Sequence, residues 1–250
     1  AMQIGENSAY KKSDYVVSLL PCAKKYMMKH GLKEEKFVHI PNGVVLEDWA
    51  TPEELPTEHK EILEKLKSDG KFVVGYFGGH ALSNALDTLI DAAEKLKDKQ
   101  NIHIVLVGEG VEKERLIEKA NKLKLNNVTF LAPVPKLSIP NLVQYFDATY
   151  NAAKASPLYR FGVCPNKVFD TMMAAKPLLY AIDAPASYVN KYGCGIDVIP
   201  ESVESLVGAI THMSEVSKSE RVCMGEKGKK AVETKYNYKV LGKYFAKLFN

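Results

Sequence analysis

The chain has 250 residues, 46% of them hydrophobic, enough for a real core in one large domain or in one domain plus a fragment. Its net charge of +4 comes from 34 basic and 30 acidic residues, and the lysines sit in runs such as KKYMMKHGLKEEK that read as solvated helix faces, so no nucleic-acid partner is expected. Cys22, Cys164, Cys194 and Cys223 make no CxxC pair, no apolar run has the length of a membrane span and no signal peptide is expected, so the reading is a reducing, cytoplasmic setting without a zinc site or redox dithiol.

Ala1, ahead of Met2, reads as a cloning scar. DYVVSLL (14–20) predicts a strand, and CAKKYMMKHG a short helix ended by Gly31. KFVHI (36–40) is a second strand, closed by PNG. The charged, proline-bearing stretch ATPEELPTEHKEILEKLKSDG reads as a linker with one helix. It places a domain boundary near residue 50, between segments 1–50 and 51–250.

From Lys71 strands and helices alternate cleanly. KFVVGYFGG, IHIVLVGEG, NNVTFLAPV, ATYNAA, PLLYAI and GIDVI predict strands. ALDTLIDAAEKLK, VEKERLIEKANKLKL and APASYVNKYG predict helices between them, NLVQYF follows a turn rich in proline, and a further helix runs from Asn166 to Ala175. Amphipathic helices close the chain from ESVESLV onward. Nearly continuous apolar strands belong to a sheet covered on both faces, so the expected fold is α/β with a doubly wound parallel sheet, preceded by a fragment of another α/β domain. Right-handed crossovers gather the strand-to-helix loops at one end of such a sheet, where ligands bind.

Three of those loops bear on chemistry. GYFGGHALSN puts Gly78 and Gly79 after a buried strand, where backbone N–H groups can approach a phosphate and the next helix adds its positive end; a tight turn needing glycine for geometry alone is the equal alternative. It is not GxGxxG, which argues against a nicotinamide-dependent oxidoreductase. His80 is the polar residue of that turn. Glu109 in GEGVEKE reads as an acid favoured by a helix N-terminus. SPLYRFGVCPNKVFDTMM is the strongest signal: Pro165 suits a first helical turn, and free N–H groups from Asn166 onward stand beside Arg160 and Lys167, an arrangement suited to a diphosphate. Asp170, one turn further in, either accepts hydrogen bonds from a pair of hydroxyls, as a ribose offers, or pairs with Lys167 on a surface helix.

The order of these motifs resembles the C-terminal half of family-4 glycosyltransferases with the GT-B architecture. The resemblance rests on FG at 161–162, DTMMAAKPL at 170–178, VLVGEG at 105–110 and NVTFLAPV at 127–134. SDYVVSLLPCAKKYMMKHGLKEEKFVHIPNGVVLEDW is similar to that family's passage from the first domain into the second. SPLYRFGVCPNKVFDTMMAAKP looks closest to a subgroup that moves N-acetylated amino sugars in bacterial surface-polysaccharide assembly. The resemblance implies retaining transfer of a sugar from a nucleotide donor, UDP-linked by preference, to a saccharide or lipid-linked acceptor. It implies no metal or other cofactor, because helix N-termini and basic side chains neutralise the leaving diphosphate. It also implies that Asp170 binds the ribose hydroxyls and that the backbone at Gly162, Val163 and Cys164 faces the donor sugar and phosphate. Val134 and Pro135 would border the nucleobase, and Gly78, Gly79 and His80 would lie beside the diphosphate.

Three departures from that pattern stand out. Gly162 replaces the first family acid, PNK occupies a place where common members have fewer residues, and GGHALSNA carries no cation. Arg160 and Lys167 are expected to supply the charge instead. Lys176 stands where glycine is usual. Only about two strands of a first domain are present, so the chain is expected to be one half of a two-domain enzyme that binds donor weakly and transfers nothing without its N-terminal domain. Strand 14–20 must find a partner or leave an apolar edge that invites self-association. A location at the inner face of a membrane suits a lipid-linked acceptor. A GT-B sugar-nucleotide epimerase and a non-catalytic nucleotide-binding module are the alternatives.

Overall fold

A computed structural model describes residues 2–249, which leaves Ala1, read above as a cloning scar, outside the described residues. The chain begins with helix α1 (Met2–Lys12), strand β1 (Val16–Ser18), helix α2 (Lys24–Lys29) and strand β2 (Phe37–His39). The two strands form a parallel pair, Val16 opposite Phe37 and Ser18 opposite His39. Strand β1 is shorter than the apolar run 14–20 suggests. The Ser18 hydroxyl donates to the Leu20 carbonyl and accepts from the Leu20 N–H, which turns the chain out of the ladder. Tyr15, Val17 and Leu19, spaced by two, remain exposed on one row. Helix α1 was not expected from the sequence; its apolar Met2 and Ile4 are exposed and it buries no residue.

A short helix, α3 (Leu46–Ala50), precedes the linker, which holds the one helix expected, α4 (Thr57–Ser68). Then come β3 (Phe72–Phe77), α5 (Leu86–Lys95), β4 (Ile102–Val107), α6 (Lys113–Lys122), β5 (Val128–Leu131), α7 (Ile139–Gln144) and β6 (Ala148–Ala152). Helix α8 (Asn166–Met173), β7 (Leu178–Ala181), α9 (Tyr188–Tyr192) and β8 (Gly195–Asp197) follow, and α10 (Val203–Glu215), α11 (Lys218–Lys235) and α12 (Tyr238–Ala246) close the chain. All six strands from β3 to β8 run parallel in the order β5-β4-β3-β6-β7-β8.

Successive residues point to opposite faces and both faces are covered, which explains why β3 and β4 are almost wholly apolar. Phe72, Val74 and Tyr76 of β3, with Ile102, Ile104 and Leu106 of β4, face α5, α6 and α10. Val73 and Phe77, with Val105 and Val107, face α4 and α7 on the other side. Leu178 and Tyr180 of β7 pack against α8, α9 and α11 in a third cluster.

Strand order reverses between β3 and β6, and a crevice opens there at the carboxyl ends. The loops on its two sides are tied together by the Lys154 N–H, which donates to the Ser83 carbonyl at 2.9 Å. The linker is fastened close by. Val44 N–H donates to the Tyr236 carbonyl and Tyr238 N–H to the Val44 carbonyl, so α12 returns to hold the segment that leads out of the first fragment. Among the described residues no helix is long and apolar enough to cross a membrane.

Candidate functional site

Three hollows meet at the carboxyl ends of the strands. One, of about 420 Å³, is lined by Asn84, Asn151, Ala153, Gly162 to Pro165, Lys167, Ile182 and, from the first fragment, Leu20. A second, of about 340 Å³, lies between Gly78, Gly79, Glu109, Pro133, Val134 and Ile139. A recess of about 90 Å³ holds Asp170 with Asp48, Lys136, Asn166 and Ile139. Ile139 is common to the last two, and Lys167 joins the first two by lying along Gly78. A larger groove of about 600 Å³ runs between α4 and α7, on the flank of the sheet and away from these loops.

Lys167 is the cation that the geometry delivers to the glycine loop. Gly78 has φ +121°, and a Cβ there would come within 3.0 Å of the Lys167 stem, so only glycine leaves room for it. The Lys167 ammonium donates to the Tyr76 hydroxyl at 2.8 Å and lies 4.3 Å from the centre of that ring. It has no acidic partner within salt-bridge distance among the described residues, and burial lowers its pKa to about 8. The N–H of Gly79 takes no acceptor, nor do the first two N–H groups of α8, at Asn166 and Lys167. The Lys167 cation thus lies against the loop that carries the orphan Gly79 N–H, which is what an anionic ligand requires.

Asp170 does not pair with Lys167, the second possibility left open by the sequence. It lines the separate recess with Asp48 and Lys136, and Lys136 bridges to Asp48 at 3.2 Å. Burial raises the Asp170 carboxyl to about 6, opposed by Lys136 and reinforced by Asp48. At neutral pH it is ionised and lacks protein donors, so it can accept from two hydroxyls.

The family model described as "Glycosyl transferases group 1" matches residues 58–231. The chain belongs to that family. An uncharacterized glycosyltransferase of Methanocaldococcus jannaschii is 25% identical over 248 residues, covering 96% of this chain and 59% of the archaeal one. Anabaena HepE, solved in complex with UDP, superposes with a TM-score of 0.79 at 19% identity, over 99% of this chain and 66% of HepE. Staphylococcus aureus TarM, solved with UDP among its ligands, superposes with a TM-score of 0.71 at 14% identity, over 98% of this chain and 45% of TarM. The chain thus spans about three-fifths of the archaeal relative, two-thirds of HepE and less than half of TarM. The six-stranded parallel sheet is the Rossmann-like C-terminal domain of the GT-B glycosyltransferases.

In this glycosyltransferase-family domain the other expected site residues divide. Val134 borders the 340 Å³ hollow, and Pro135 leads into the turn that carries Lys136. Gly162, Val163 and Cys164 line the 420 Å³ cavity. Arg160 is not brought to Lys167: its guanidinium donates to the Pro157 carbonyl at 2.8 Å and stacks on Phe161 at 4.4 Å, outside the cavity lining. The His80 ring is fully buried and does not face the crevice. It packs on Tyr76 and Phe130, neither ring nitrogen has a hydrogen-bond partner, and burial with the nearby Lys113 holds its pKa below the ordinary value. Helix α5 begins at Leu86, after a 3-10 turn over Leu82–Asn84, so its N-terminus does not abut Gly79 as expected. Glu109 bonds the Gly110 N–H and pairs with Lys113, the plain turn role.

Two departures from the family pattern acquire physical reasons. Gly162 has φ +93°, and a Cβ there would fall 2.7 Å from Pro21 Cδ, so an acid cannot stand at this position without a backbone change. Lys176 donates to the Gln144 carbonyl at 3.0 Å and so caps the C-terminal end of α7, a favoured place for a cation. Sequence reasoning missed Tyr76, Asn84 and Lys136. Tyr76 reads as one more core aromatic, and Lys136 as part of a proline-rich turn.

Proposed function

We propose that this chain is the donor-binding half of a retaining glycosyltransferase that takes a sugar from a UDP-linked donor and passes it to a polysaccharide or lipid-linked acceptor. The observation that carries the reading is the convergence of the unpaired Lys167 ammonium and the free Gly79 N–H at the strand-order switch point, three residues along the helix from an ionised Asp170. The diphosphate lies against Gly78, Gly79 and Lys167, the ribose hydroxyls bond Asp170, the base enters the hollow at Val134, and the sugar occupies the cavity at Gly162 to Cys164. In this reading the two charge sources, α8 and Lys167, neutralise the leaving diphosphate in place of a metal. The UDP in the HepE and TarM structures supports the choice of nucleotide.

Residues 1–50 are the end of an N-terminal domain and its linker, and the exposed row of Tyr15, Val17 and Leu19 is where the remainder of that domain packs. The acceptor site belongs to that domain, at the cytoplasmic face of a membrane when the acceptor is lipid-linked, and the donor sugar is an N-acetylated amino sugar. Gly162 favours a second reading, a nucleotide-binding module without transferase activity, because the acid that would contact the sugar is gone. Calorimetry or thermal shift with UDP, GDP and NAD tests the first: UDP binds in preference, and a preference for NAD overturns it. Transfer by the chain only when an N-terminal half is added separates the transferase from the module.

A further inference from the structure

We propose that Tyr76 is a positioning residue for the donor diphosphate: its hydroxyl holds the Lys167 ammonium and the Gly79 carbonyl in the arrangement that leaves the ammonium and the Gly79 N–H open to an anion. The inference rests on the donor reading above and adds a residue that binds no ligand itself.

Tyr76 is fully buried in the last turn of β3, under the glycine loop. A phenol has one proton to give and lone pairs to receive with. The Tyr76 proton goes to the Gly79 carbonyl at 2.5 Å, so its oxygen is free only to accept, and it accepts from Lys167 at 2.8 Å. Asn84 supplies a second donor to the Gly79 carbonyl at 2.7 Å, while the N–H of the same peptide, at His80, donates to the Glu109 carbonyl at 2.8 Å. That peptide is therefore satisfied at both ends and cannot turn. The peptide before it keeps a free N–H. A lysine stem has four rotatable bonds, and a fixed acceptor is what keeps its ammonium beside the loop when no ligand is present.

The surroundings of the ammonium agree. Tyr76 lies beneath it, its own ionisation pushed far upward by burial. His80 packs edge-on against Tyr76 and is held neutral, and Lys113, bonded to Glu109, lies beyond His80. Cys164 lines the same cavity with its thiol ionisation raised by burial. Every one of these groups is neutral or positive except Glu109, which is committed to Lys113 and the Gly110 N–H. The half-buried ammonium has a dipole to rest on and, among the described residues, no anion, and a bound diphosphate supplies one.

The test is UDP affinity by calorimetry from about pH 6.5 to about pH 8.5, limits that span the titration of a lysine lowered to about 8 and stay below the ionisation of the uracil imide, for the chain and for Tyr76→Phe, Lys167→Met and the double variant, with uridine as the phosphate-free probe. Tyr76→Phe keeps the ring and removes only the hydroxyl. It weakens UDP about tenfold, as expected for losing one hydrogen bond to a charged group, and moves the alkaline fall in affinity to lower pH, because an acceptor that favours the charged lysine is gone. Lys167→Met abolishes the alkaline fall, the double variant is no weaker than Lys167→Met alone, and uridine binding is unchanged throughout. Equal UDP affinity and pH profile in Tyr76→Phe and the parent chain would overturn the inference, as would losses that multiply in the double variant. A parent chain that binds no UDP overturns the donor reading and this inference together.

Discussion

Asn42 and Cys164 are joined twice across 122 residues: the Asn42 N–H donates to the Cys164 thiol at 3.1 Å and its side-chain amide to the Cys164 carbonyl at 2.9 Å. The linker that leaves the first fragment is thereby fastened to the wall of the 420 Å³ cavity. Asn42→Ala removes the amide bond and leaves the carbonyl of a half-buried loop less satisfied. The expected loss is about 1 kcal/mol, or roughly 2–4 °C in Tm for a chain of this size, measured by calorimetry. A sugar-bearing donor should lose more affinity than UDP does, since the loosened wall faces the sugar; equal losses for both would contradict that placement.

Asp170 predicts a sign in the pH dependence of stability. Its carboxyl is raised from 3.8 to about 6 by burial, so between those values the folded chain holds a proton that the unfolded chain releases. Stability therefore falls as pH rises through this window and stays low above it. Asp170→Asn removes that loss: the variant is more stable than the parent at pH 8, by up to about 3 kcal/mol, and nearly equal to it at about pH 3.5. The same variant binds UDP more weakly. A variant less stable than the parent at pH 8 would show that the carboxylate has a stabilising partner.

Lys167 and Arg160 were equal candidates in sequence and are unequal in space. Lys167→Ala should weaken UDP at least about tenfold, and Arg160→Ala by a small fraction of that, because the guanidinium is committed to Pro157 and Phe161. Matching losses would mean that the 157–161 turn rearranges when the donor binds.

Restoring the family acid by Gly162→Asp should not restore a sugar contact. A non-glycine residue in this backbone conformation, φ +93° and ψ 175°, which essentially only glycine adopts, costs about 1–3 kcal/mol, and the Cβ at this position also meets Pro21. The expected result is a lower Tm with no gain in donor affinity. Unchanged Tm together with tighter binding of a UDP-sugar would refute it.

Much of this was readable in the residues, for reasons that also mark where reading stopped. FVVGYF and IHIVLV are apolar at nearly every position because both faces are covered, and such runs alternating with helices place them in the interior of a parallel sheet. The PNK segment announced a loop–helix junction with donors at its mouth. The direction of Arg160 could not be read, since a long side chain near a site has many rotamers and its neighbours Pro157 and Phe161 decide among them. The pairing of Asp170 was ambiguous because spacing by three allows a contact but does not require one; Tyr76 claims Lys167, and the tertiary fold turns Asp170 toward the linker. Strand β1 and helix α1 fell short of the pattern because what borders them lies outside the packed core, where local bonds such as that of Ser18 win.

In the proposed reading, the charge for the phosphate and the acid for the ribose stand on one helix, three residues apart. In an ideal helix that is about 4.5 Å along the axis and about 60° around it. On that reading α8 is a rigid calliper for the span from diphosphate to sugar ring, graduated by helical pitch. Lengthening α8 by one residue between Lys167 and Asp170 would reset the gauge by about 100° while leaving every chemical group in place.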